Sequence, residues 1–172
     1  MNEKNTAILA DRVYCDGSLA LEDAEVTLPA IESQTFEVKA MGPINVVLPG
    51  LFESMEMTIK STGVTKEYAR ISGFGTHKFT ITAAQNKVAP DGTITPKQFK
   101  AIVTGISKKI GEIGINPGDA AEPESSYEVT RYEAYEDGQN LWVVDKLNGV
   151  CKIWNGSDFT DYGDQIAQLL DA

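Results

Sequence analysis

The sequence predicts a mainly β chain, an antiparallel β-sandwich or barrel with one short flanking helix, on the strength of three observations. Apolar and polar residues alternate with period 2 over most of the chain, as half-buried strands require. Two-residue turn signals recur between those runs, at Asp137-Gly138 and again at Asn148-Gly149. Before Tyr162 only one stretch has helical spacing.

In chain order, Phe36, Val38 and Ala40 alternate with Glu37 and Lys39, which predicts a half-buried strand. Met55-Glu56-Met57-Thr58-Ile59-Lys60 predicts a second of the same kind. Val64 to Ile71 places Val64, Tyr68 and Ile71 on one helical face, with Thr62 or Thr65 as the cap and Gly73 and Gly75 as the stop. Phe79, Ile81 and Ala83 alternate with Lys78, Thr80 and Thr82, a third strand. Lys87 to Thr95, with Pro90-Asp91-Gly92, reads as a loop tip. Gln98 to Thr104 is a further strand, with Gly105 as a bulge or bend. Gly111 to Glu124, rich in Gly, Pro and acid, is an irregular loop, and Ser126 to Trp154 is the longest β-rich region. Tyr162 to Leu170 closes the chain as a short C-terminal helix carrying Ile166, Leu169 and Leu170 on one face. The 172 residues suit one domain, residues 1–172, with no linker composition inside it.

The formal net charge is −10, from 15 Lys and Arg against 25 Asp and Glu, which disfavours direct DNA binding because phosphate affinity comes from basic residues. The charge is uneven. Residues 60–109 hold nine basic and two acidic residues, a net +7, while the remainder carries −17. Either these charges decorate solvated faces, or the molecule has two poles of opposite sign that steer head-to-tail contact between copies.

The constellations of an enzyme are missing. His77 is the single histidine and stands at a strand entrance, more in keeping with a surface or capping role than with a base. No nucleophile elbow, phosphate-binding loop or dinucleotide fingerprint occurs. Asp158, Asp161 and Asp164 lack the ligand spacing and central glycine of a calcium loop. Cys15 and Cys151 lie too far apart in sequence for a clustered metal site and read as buried free thiols. Asn155-Gly156-Ser157 fits a glycosylation sequon, which is idle without secretion. Ala7 to Ala10 is too short for a signal-peptide core, so the expected place of synthesis and assembly is the cytoplasm. No catalytic, cofactor-binding or metal-binding residue is expected.

An ordered string of motifs resembles the major tail tube proteins of contractile-tailed phages, of the P2-like kind, or the equivalent tube protein of an R-type bacteriocin. Val13-Tyr14-Cys15-Asp16-Gly17 with Ala24-Glu25-Val26-Thr27-Leu28-Pro29 is similar to the family's opening strand, turn and V-T-L-P step. Ala40-Met41-Gly42-Pro43-Ile44, Met55-Glu56-Met57 and Lys78-Phe79-Thr80-Ile81 resemble its next segments. Ala101-Ile102-Val103-Thr104-Gly105, Pro117-Gly118, Tyr132-Glu133-Ala134-Tyr135 and Val144 to Val150 follow in the family's order. Cys151-Lys152-Ile153-Trp154 departs from it, standing where the family often has an aspartate and a basic helix.

The resemblance implies a fold like the ring protein of type VI secretion systems and a structural role. Hexameric rings would stack head to tail into a helical tube inside a contractile sheath. The tube would be driven through the target envelope on contraction, conducting DNA in a phage or ions in a bacteriocin. Sheath protein, baseplate and tape-measure protein are the implied partners, with DNA only as transient cargo and no membrane anchor. Glu37, Lys39, Glu56 and Lys60, on the polar faces of the two early strands, are the candidates for lining the channel. Lys87, Asp91, Lys97, Lys108 and Lys109 are the candidates for ring-stacking or sheath contacts. The alternative is a soluble, monomeric β-sandwich binding module whose aromatic patch would need Trp142 and Trp154.

Overall fold

Strand-forming alternation turns into a mainly antiparallel architecture in the computed structural model, which describes residues 3–171. The first strands are β1 (Lys4–Cys15), β2 (Ser18–Glu22) and β3 (Glu25–Thr27). β4 (Ser33–Lys39) and β5 (Pro43–Phe52) form a hairpin that is a sheet of its own, and β6 (Glu56–Lys60) returns the chain to the main sheet. After α1 (Lys66–Ser72) come β7 (Thr76–Val88), β8 (Ile94–Lys109), β9 (Glu124–Glu136), β10 (Gln139–Asp145), β11 (Val150–Trp154) and β12 (Phe159–Asp161). α2 (Tyr162–Leu170) ends the chain.

The main sheet runs β12-β11-β10-β9-β8-β7-β1-β2 and does not close into a barrel. It forks at β9. β8 pairs along nearly all of β9, while the other edge takes β6 over Glu124–Glu128 and β10 over Arg131–Glu136. β3 then pairs with β6.

Register explains the core. Cys15, Phe79, Val103, Tyr132, Val144 and Cys151 are partners in turn across β1, β7, β8, β9, β10 and β11, so six neighbouring strands send one buried row to the same face. The next row on that face is Val13, Ile81, Ala101, Ala134, Trp142 and Ile153. Met55, Met57 and Ile59, with Tyr68 and Ile71 from α1, complete the cluster. Cys15 and Cys151 are both free and buried. They stand at opposite ends of a six-strand row, about 24 Å apart at the usual strand spacing, which no disulfide spans.

Local signals act where the residues place them. Asp137 and Gly138 both take positive φ, 46° and 83°, the two-residue turn that Asp-Gly favours between β9 and β10. Register shifts between Thr104 and Gly105, so the glycine marks a bulge. Thr65 caps α1, its hydroxyl accepting from Tyr68 N at 3.1 Å. Val64 lies outside the helix and is exposed; it falls just before the cap, where the chain is still extended.

A buried polar network fastens α1 to the sheet. The Tyr68 hydroxyl accepts from Gly111 N (3.1 Å) and from Ser125 Oγ (2.8 Å). Tyr127 donates its hydroxyl to Ile71 O at 2.8 Å, and Ser107 donates to Ser72 O at 3.1 Å. α2 lies against β11 and β5, and no side chain of it is buried.

Candidate assembly surfaces

The β4–β5 hairpin departs from the half-buried strand that its alternation predicts. Phe36 pairs with Val46, and Val38 with Ile44, so these four share one face, yet they are 63%, 42%, 40% and 53% exposed respectively. Thr35, Glu37 and Lys39 share the other face with Val47, Asn45 and Pro43. Alternation separates the faces correctly, but among the described residues no element covers the apolar one. A two-stranded hairpin is marginally stable by itself. An uncovered apolar face on such a hairpin is a surface that another molecule can bury.

The four residues expected on a channel divide between two elements. Glu37 and Lys39 are exposed on the polar face of the hairpin. Glu56 and Lys60 are on β6 of the main sheet, where each joins an ion-pair group. Lys108 Nζ bridges Glu56 (2.8 Å) and Glu128 (3.4 Å), and Lys60 Nζ bridges Glu122 (3.2 Å) and Glu25 (3.9 Å). The hydrogen bonds that Lys60 and Lys108 donate to Glu122 and Glu56 respectively raise the two ammonium groups above their ordinary values.

The stacking candidates also split in two. Lys87 and Lys97 converge on Glu136 at 3.2 and 3.0 Å, beside the β7–β8 turn where Asp91 accepts from Thr93 N at 2.9 Å. The Lys97 hydrogen bond is the main reason the Glu136 carboxyl is held below its usual range. Lys108 and Lys109 lie at the other end of β8, about 36 Å from Lys97 at an ordinary strand rise. The basic segment 60–109 is therefore not one pole. Acidic groups of β9 (Glu128 and Glu136) meet its lysines at both ends.

Free edges complete the picture. β2 ends the main sheet on one side and β12 on the other. β2 covers only Arg12–Cys15 of β1, and Asp23 N donates to Asp11 O, so Lys4 to Ala10 has β7 on one side alone. Ile8 and Leu9 in that stretch are 64% and 63% exposed, and Ile94 on β8 is 62% exposed. Unpaired strand edges invite pairing with a further chain.

The remaining sequence candidates take structural roles. Trp142 faces the core beside Tyr132 with ring centroids 5.8 Å apart, among residues lining a cavity of about 600 Å³. Trp154 follows Ile153, the partner of Trp142, so it points to the opposite face, where it meets Phe159 at 5.4 Å. The two tryptophans thus form no common patch. Asp161 caps α2 by accepting from Asp164 N at 2.9 Å, and Asp158 accepts from Phe159 N at 2.8 Å. Asn155 Oδ1 accepts from Ser157 N and Asp158 N, closing a turn. Burial pushes the Cys15 thiol up to about 11, so at neutral pH it is a thiol and not a nucleophilic thiolate.

An uncovered apolar hairpin and free sheet edges around a well-packed core make this a mainly β protein with surfaces open to a partner. The chain belongs to the phage tail tube protein FII family, whose model matches residues 6–162 of the 172. That family is structural and not enzymatic, which makes this chain a subunit of a virion tail tube. A search of curated proteins returned no match. Among the described residues, no helix is long and apolar enough to cross a membrane.

Proposed function

We propose that the chain closes into hexameric rings that stack head to tail as the inner tube of a contractile tail. The carrying observation is the β4–β5 hairpin, whose apolar face of Phe36, Val38, Ile44 and Val46 is left uncovered by the described residues. Covering that face with a neighbouring copy removes it from water, and pairing the free edges of β1 and β12 across subunits joins separate sheets into one closed wall. The hairpin's polar face, with Glu37 and Lys39, then turns toward the channel, and Glu56 and Lys60 flank it. With two Glu and two Lys among these candidates, the channel has no basic excess to hold DNA phosphates, so the cargo passes without sticking.

A stack of identical rings joined head to tail needs two different contact surfaces, one at each end of the subunit. The separation of Lys87, Asp91 and Lys97 from Lys108 and Lys109 along β8 supplies two such ends. Sheath protein, baseplate and tape-measure protein are the further partners of this reading, with DNA as passing cargo. Assembly in the bacterial cytoplasm belongs to the same reading.

Negative-stain electron microscopy of the purified chain, over a range of concentration and salt, tests it. Hollow six-fold rings or rods that shorten as salt rises are expected, because exposed charge pairs are screened. Particles that remain monomeric even with baseplate components added would overturn the assignment.

A further inference from the structure

Two sequence neighbours, Cys15 and Asp16, converge with the remote His77 at the β1–β2 turn. Cys15 Sγ lies 3.8 Å from His77 Nδ1 and 3.6 Å from Asp16 Oδ2, and the three ligand atoms all fall within 4.8 Å of one another. Asp16 follows Cys15 directly, and in a regular strand it would point away. Its φ of 51° turns the backbone so that the carboxylate comes back beside the thiol. His77 Nε2 lies 2.6 Å from Gly73 O, an atom that only accepts, so Nε2 carries the proton and Nδ1 presents its lone pair toward Cys15. A ring nitrogen tied to a backbone carbonyl while the other faces outward is the supporting arrangement of metal-bound histidines.

We propose that Cys15 Sγ, His77 Nδ1 and Asp16 Oδ2 form a zinc site, with the fourth tetrahedral position open to solvent. Ordinary zinc bond lengths at a tetrahedral angle put sulfur about 3.5 Å from a nitrogen or oxygen ligand. The observed 3.8 and 3.6 Å need only small side-chain rotations to match. Thiolate with imidazole is a donor set that selects zinc over magnesium or calcium. On binding, the Cys15 S–H bond gives its proton to solvent and the sulfur lone pair bonds the ion, with no change of oxidation state. Cys15 is buried, His77 half-buried and Asp16 exposed, which leaves the ion one open side. The Arg70 guanidinium, which donates to Cys15 O at 3.4 Å, is the neighbouring cation, and Glu67 pairs with it at 2.7 Å. A bound ion would tie the end of β1 to the start of β7, beside the stop of α1.

Cobalt titration of the metal-stripped, reduced full-length chain tests the site. One equivalent is expected to give a thiolate-to-cobalt charge-transfer band that zinc abolishes by displacement. The band should persist in Cys151→Ser and vanish in Cys15→Ser and His77→Gln. Should either of the latter fail to fold by circular dichroism, Asp16→Asn decides. Asn tolerates the same backbone conformation, and the variant should bind at least about tenfold more weakly, the loss typical of even an outer-shell partner. Absence of the band, its survival without Cys15, its loss with Cys151, or unchanged affinity in Asp16→Asn would overturn the proposal.

Discussion

Replacing Phe36 by Ser should separate folding from assembly. Phe36 keeps 63% of its surface in water within the single chain, so removing the ring deletes little intramolecular packing. Exposed substitutions of this kind usually shift stability by no more than about 0.5 kcal/mol. In a tube the same ring is covered by a neighbour. Full burial of a phenylalanine stabilises by roughly 1.5–3 kcal/mol, so covering the exposed 63% contributes about 1–2 kcal/mol per subunit added. At 1.4 kcal/mol per factor of ten, the concentration at which tubes appear should rise about 5- to 30-fold. Pelleting assays across a concentration series read that threshold, and a urea melt of the dilute monomer reads stability. Val46→Thr, which keeps the β-branched shape, should shift the threshold in the same direction by less. An unchanged threshold in Phe36→Ser would refute the hairpin as the buried contact. A large fall in monomer stability would show that the face is covered within the chain after all.

Tyr68→Phe should lower stability by about 1–3 kcal/mol in denaturant melts, because the buried Gly111 N–H and Ser125 hydroxyl lose their shared acceptor. Gly163→Ala should loosen the C-terminus, since an added Cβ would run into the backbone of Gly149; faster hydrogen exchange confined to α2 and the β10–β11 turn is the expected reading. At Asp145, burial alone would raise the carboxyl, but hydrogen bonds from Asn148 and Arg131 outweigh it and hold the group below its ordinary value. A depressed carboxylate stabilises above its unfolded value and loses that contribution as pH falls from about 4 through the folded value. The acid limb of the stability profile should therefore be shallower in Asp145→Asn, measured by thermal melts from neutral pH downward.

Much of this architecture is legible in the residues, for identifiable reasons. Phe79, Ile81 and Ala83 alternate because β7 has one face on the core, and all three are buried. Asp137 and Gly138 both take left-handed φ at the first of the two turns, and at the second Gly149 alone does. The same alternation in Phe36 and Val38 reports which face is apolar but carries no information on what covers it. Pattern thus found the strand and misjudged its burial. The basic run over residues 60–109 left a single pole open as one of two readings, because sequence does not reveal that β8 carries Lys97 and Lys108 to opposite ends. Cys15 and His77 are 62 positions apart, so no spacing rule could pair them; only the register of β1 against β7 brings them together.

The fork in β9 imposes an order on folding. β7, β8, β9, β10 and β11 pair as sequence neighbours, each across a connection that closes cheaply. β6 must find β9 across more than sixty residues, and β1 must find β7 at a similar separation. Loop-closure entropy therefore favours a nucleus in the β7–β11 meander, with the β3–β6 branch docking late. We expect φ-values to be higher at Val103 and Tyr132 than at Met57 and Ile59, and the reverse ranking would refute this order. The β4–β5 hairpin is spliced between β3 and β6, the two late strands. A nascent chain would thus bring its adhesive hairpin into position only after the meander is sealed, a timing that guards a self-associating protein against polymerising before it has folded.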